Sequence, residues 1–100
     1  MSSTRLNLLG QGTIYVGSGS ITTSALAAGA EEDLTISDTN AKAGDVVAVS
    51  IINAKMETGM SIAAAWVSAD GTISIRVSNL NGANALTNEA KTVYYTLIRS

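Results

Sequence analysis

The residues that could do chemistry in this chain are its carboxylates, lysines and serines, since it has no His and no Cys. Without His it lacks the commonest general base and the commonest transition-metal ligand. Without Cys there is no disulfide and no thiolate metal site. Glu31-Glu32-Asp33 is the acidic cluster. A hard cation such as calcium takes several oxygen ligands from one loop. Three successive acids in a strand would point to alternating faces, and no Asp-x-Asp-x-Asp-Gly loop is present. The cluster therefore reads as a solvated turn that also keeps a sheet edge from pairing wrongly. Gly10-Gln11-Gly12 begins like a dinucleotide fingerprint, but Tyr15 holds the place of the third Gly and no helix follows. Gly17-Ser18-Gly19-Ser20 is not a G-x-S-x-G elbow, and no His exists to activate a serine. A Ser–Lys pair with Lys42, Lys55 or Lys91 has no local support. A sugar-cleaving cleft needs paired carboxylates and normally stacking aromatics, and the aromatics are Tyr15, Trp66, Tyr94 and Tyr95. The reading is of a chain without catalytic, cofactor-binding or metal-binding residues.

The elements that must position any site are strands. Ser61 to Asn79 reads as a β-hairpin turning at Asp70-Gly71, a pair suited to a type I′ turn. That turn sets Ala69 opposite Thr72, Trp66 opposite Ile75 and Ala64 opposite Val77. Side chains alternate between faces, so Ile62, Ala64, Trp66, Ile73, Ile75 and Val77 are expected on one apolar face, with Trp66 in the core. Ala65, Val67, Thr72, Ser74 and Arg76 take the other, and Arg76 reads as facing solvent or a subunit contact with an acidic partner.

Residues 1–20 read as an extended arm, rich in Ser, Thr and Gly, with a short strand at Thr13 to Val16. Within it Leu6, Leu8 and Leu9 are candidates for docking on a partner or covering a sheet edge. Residues 21–100 read as the folded domain, with strands at Ile21 to Leu26, Leu34 to Ser37, Val46 to Asn53, the hairpin, and Lys91 to Arg99. Both faces of the Val46 strand are apolar, which predicts burial on both sides or a subunit contact. In the last strand Val93, Tyr95 and Leu97 face one way, and Tyr94, Thr96 and Ile98 the other. About seven strands spaced by turn signals predict an all-β fold. It is a single small antiparallel β-sandwich, jelly-roll or immunoglobulin-like, or a barrel, with the N-terminal arm extended.

Composition narrows the partners. The formal net charge is −2, with no basic block for nucleic acid and no basic amphipathic stretch for a membrane. No apolar run approaches the ~20 residues that span a bilayer, and the start of the chain lacks the pattern of a signal peptide. Synthesis in a cytoplasm without export is expected. The core is built mostly from Ala, Val, Ile and Leu, and such a thin core predicts support from copies of itself or a larger surface.

From Ala43 onwards the chain resembles a family of small bacteriophage virion proteins. The pieces are Ala43-Gly44-Asp45-Val46-Val47, Gly59, Trp66-Val67-Ser68-Ala69-Asp70-Gly71-Thr72-Ile73, Ile75-Arg76-Val77-Ser78-Asn79 and the closing Leu97-Ile98-Arg99. The resemblance covers roughly residues 30 to 99. Such modules resemble head decoration, or cement, proteins and related β-sandwich domains of phage heads and fibres. The resemblance implies a structural virion protein on the capsid surface, without enzyme activity. Its partners would be the major capsid protein and copies of itself, as a homotrimer. Leu6, Leu8, Leu9 and Arg76 would then be capsid or subunit contacts. The alternative it implies is a fibre or baseplate module that binds a host glycan or receptor, for which Tyr15 and Tyr94 are the exposed-aromatic candidates.

Overall fold

A computed structural model of the protein describes residues 4–7, 13–51 and 57–99, with the backbone alone for 4–7. Its strands are β1 (Thr4–Asn7), β2 (Thr13–Thr23), β3 (Glu31–Ser37), β4 (Val46–Ile51), β5 (Met60–Ala69), β6 (Thr72–Asn79) and β7 (Glu89–Arg99). They form two antiparallel sheets, ordered β1-β2-β7-β4 and β3-β6-β5, a small β-sandwich with no helix among the described residues. β2 lies beside β3 and β4 beside β5, which stacks one sheet on the other. An immunoglobulin sandwich places its first, second, fifth and fourth strands in one sheet. Here the last strand, β7, runs between β2 and β4 instead. β2 pairs with β7 in one sheet and β3 with β6 in the other, the wrapped-hairpin logic of a jelly roll with fewer strands.

The strand expected at Thr13 to Val16 and the one expected from Ile21 are a single strand. It runs unbroken through Gly17 and Gly19, which sit opposite Tyr95 and Val93 on β7. Without side chains, these glycines leave the inner face to their larger partners, so the spacing that looked like a break is a fit. The acidic cluster is likewise the start of β3 and not a turn. The alternation expected for β7 holds: Val93, Tyr95 and Leu97 are buried, while Tyr94 and Ile98 are exposed. These three buried residues meet Ile36, Ile73, Ile75 and Val77 of the other sheet in one core with Ile21, Ile51 and Met60.

The hairpin has the expected turn position but not the expected register. Ala69 does face Thr72. The register then shifts between Val67 and Ala69 and again between Ile62 and Ala64, leaving Ser68 and Ala63 as extra residues on β5. Each shift is a β-bulge, and one extra residue sends every later side chain to the opposite face. Trp66 therefore sits opposite Ser74 and Ala64 opposite Arg76, while Ala65 and Val67 join Ile75 and Ile73 on the inner face. The second bulge returns Ile62 to that face, opposite Val77. Trp66, expected in the core, is on the outer face.

The turn type differs for a related reason. No described residue other than glycine has positive φ, and Gly71 has φ 85°. Positive φ at the second central position alone is the type II pattern, whose twist does not match paired strands, and the bulge at Ser68 lies beside it. Tertiary hydrogen bonds hold the turn. Gly71 donates to the Ala41 carbonyl at 2.9 Å, Asp38 donates to the Gly71 carbonyl at 3.0 Å, and the Ala43 amide donates to Asp70 Oδ1 at 2.9 Å.

Candidate binding surface

On the four-stranded sheet, register decides what faces outward. Ile14, Val16 and Ser18 of β2 lie opposite Ile98, Thr96 and Tyr94 of β7. These in turn lie opposite Val46, Ala48 and Ser50 of β4. None of these nine positions is charged. Val46 is 62% exposed, Tyr94 55%, Ile98 41% and Val16 37%, so the face is open and no other described residue covers it. A shallow hollow of about 320 Å³ lies here between Val16, Gly17, Ala48, Ser50, Tyr94 and Thr96. Contiguous exposed apolar residues on a soluble domain mark an interaction site more often than isolated ones do. The sequence carried part of this signal, in the two apolar faces of the Val46 strand and in Tyr94, Thr96 and Ile98 sharing a face. What it lacked was the register that brings β2 and β4 to either side of β7.

The other sheet's outer face is polar. Arg76 Nε donates to Asp33 Oδ1 at 2.8 Å and Nη2 donates to Oδ2 at 3.2 Å. Glu31 lies 3.8 Å from the same guanidinium, which also stacks over Trp66 at 5.1 Å from the ring centroid. The hydrogen bond from Arg76 holds the Asp33 carboxyl below its ordinary range. So Arg76 faces solvent as expected, but its acidic partner is within the chain. Exposed ion pairs contribute little to stability. Arg76→Ala is expected to leave the thermal midpoint nearly unchanged while red-shifting Trp66 fluorescence, because the ring loses its cover. A blue shift would mean that the ring collapses inward instead.

Leu6 lies in β1, where its backbone pairs with Ile14; Leu8 and Leu9 lie outside the described residues. Tyr15 is half-buried beneath Arg99, whose guanidinium lies 5.3 Å from its ring. Of the aromatic candidates, Tyr94 is the one that is exposed. Glu32, between the two acids that approach Arg76, accepts hydrogen bonds from the Ser24 amide at 3.0 Å and hydroxyl at 2.7 Å. No group of acids able to hold a metal occurs among the described residues.

Several polar residues are structural clasps. Arg99 donates to both oxygens of Asp45, at 2.8 and 2.6 Å, and to the Asn40 carbonyl at 2.8 Å. Its hydrogen bonds hold the Asp45 carboxyl below its ordinary value. Tyr95 donates to buried Asp38 at 2.6 Å, and burial followed by that hydrogen bond raises the phenol's pKa well above normal. Lys91 is wholly buried, 2.8 Å from Glu57 Oε2 and 2.9 Å from Glu89 Oε1. Buried Asn79 donates to the carbonyls of Leu26 at 3.0 Å and Asn84 at 2.9 Å, closing the same end of the sandwich. Asp45, Asp70, Asn79 and Arg99 are among the residues that carry the phage resemblance, and each has a job in closing the fold.

Compared with protein-family models, curated proteins and solved structures, the chain matches none of them.

Proposed function

We propose that this protein is a non-enzymatic structural module that decorates the outside of a bacteriophage head. It would bind the major capsid protein in many copies and stabilise the shell. The observation that carries the binding role is the uncharged, apolar outer face of β2, β7 and β4. An open face of this kind gains free energy when another surface covers it, at about 25 cal/mol per Å² of apolar area. The phage assignment rests on the resemblance over roughly residues 30 to 99, an analogy of pattern and not a site. Repetition suits the role, since weak contacts repeated over a lattice gain strength through avidity.

A second reading, a fibre or baseplate module binding a host glycan, is favoured by exposed Tyr94 beside the shallow hollow. An aromatic at the rim of a depression is a stacking platform for a sugar ring. Quantitative mass spectrometry of purified particles separates the two. Decoration predicts a copy number near one per major capsid subunit, or a fixed simple fraction of it. A handful of copies per particle would overturn decoration in favour of the fibre module. Absence from particles would overturn both.

A further inference from the structure

We infer that the free edge of β4 is a self-pairing edge, on which a second copy of this chain adds its own β4 antiparallel and joins two four-stranded sheets into one continuous sheet. Among the described residues the two sheets have four edges, formed by β1, β4, β3 and β5. An open edge is a template for further pairing, and proteins blunt it with short strands, charges, Pro or bulges. β1 is only four residues long. β3 carries Glu31, Glu32 and Asp33. β5 is interrupted by two bulges. β4, Val46-Val47-Ala48-Val49-Ser50-Ile51, has none of these devices and pairs with β7 without a register shift.

Burial along β4 points the same way. Val47 and Val49 are on the inner face yet only half-buried, and of the whole strand Ile51 alone is buried. Inward valines that stay half-covered are those of a strand lacking its neighbour. Charge selects the neighbour. In a two-fold contact the same patch meets itself, residue i against residue j and j against i, so an edge carrying charge of one sign faces the same sign. The acidic β3 edge would repel its copy, whereas β4 brings nothing to repel and offers a charged partner nothing to pair with.

Parity restricts the geometry further. Opposed residues of an antiparallel pair lie on the same face. The two-fold axis must then pass beside a residue, either Ala48 or Val49, setting Val46 against Ser50 of the other copy or Val47 against Ile51. Either arrangement lays the two apolar outer faces side by side and doubles the surface described above. The inference does not depend on the phage reading, because its test uses the purified chain alone.

Light scattering after size exclusion is expected to give twice the chain mass of 10.2 kDa. Val46→Lys with Ala48→Lys charges two exposed outward positions of β4 and is expected to return the mass to that of the monomer. Val16→Lys charges the sheet face away from the edge and is expected to leave the dimer intact. Loss of the dimer in Val16→Lys would mean that faces stack, and would overturn edge pairing. A wild-type monomer at about 100 µM or a trimer would also overturn it. Hydrogen exchange on the wild-type protein needs no variant to fold. Amides of β4 are expected to gain protection as concentration rises, and protection that ignores concentration would overturn the inference.

Discussion

Replacing Lys91 with alanine is expected to lower the unfolding free energy by about 3 kcal/mol, the low end of the range for breaking a buried ion pair. The low end applies because Lys91 is fully buried while the Glu57 and Glu89 side chains keep 23% and 35% of their exposure. Removing the ammonium leaves two carboxylates facing each other across the closed end of the sandwich without their cation. Burial alone would disfavour the charge on Lys91, but its hydrogen bonds to Glu57 and Glu89 outweigh that and raise its pKa. The same hydrogen bond holds Glu57 below its ordinary value of 4.5.

The sign of the pH dependence follows. In the wild type, Glu57 has a lower pKa folded than unfolded, so its stabilisation is present above about 4.5 and is lost as pH falls through the folded value. In Lys91→Ala the half-buried carboxyl has lost its cation, and its folded pKa rises above the unfolded one. The difference between variant and wild type should therefore shrink as pH is lowered from 7 towards 4. Urea unfolding at several pH values and one fixed protein concentration measures this. A difference that stays constant with pH would show that the loss is one of packing. Lys91→Met, which keeps most of the apolar volume, isolates the electrostatic part.

Gly59→Ala is expected to cost about 3 kcal/mol, while Gly29→Ala costs about 1 kcal/mol, although the two glycines have similar backbones. Gly59 has φ 85° and Gly29 φ 78°, both left-handed, so each substitution meets the same intrinsic strain. The surroundings differ. A Cβ on Gly59 would stand 2.5 Å from the Asn81 nitrogen and 2.9 Å from its Cα, whereas a Cβ on Gly29 meets nothing within 4 Å. Backbone cannot yield as the tip of a side chain does. Moving Asn81 strains the hydrogen bond from Leu80 to the Gly59 carbonyl at 2.7 Å and the one from the Asn81 amide to Asn79 Oδ1 at 2.9 Å. Equal unfolding midpoints for the two variants would mean that the 80–88 loop relocates without loss.

Much of the fold is legible in local pattern. The run from Val93 to Leu97 alternates cleanly, and a strand's period of two then assigns its inner and outer faces with no further information. Asp70-Gly71 marks the hairpin because few dipeptides turn a chain so tightly. The all-β class follows from such short alternating runs, and the apolar residues on both faces of Val46 to Ile51 already mark a strand whose outer face is not polar. What stays hidden depends on residues far apart in the chain. A bulge leaves no composition mark, so Ser68 reverses the face of Trp66, and Ala63 restores that of Ile62, unannounced. The turn at Gly71 takes its shape from Ala41, Asp38 and Ala43, far back in the chain. Nothing beside Lys91 in the sequence marks it as buried, which it is only because Glu57 and Glu89 close over it. The sequence by itself determined the all-β class and the position of most strands. Only tertiary structure decided register, sheet order and therefore which apolar face is open, because these are set by pairing between strands and not within them.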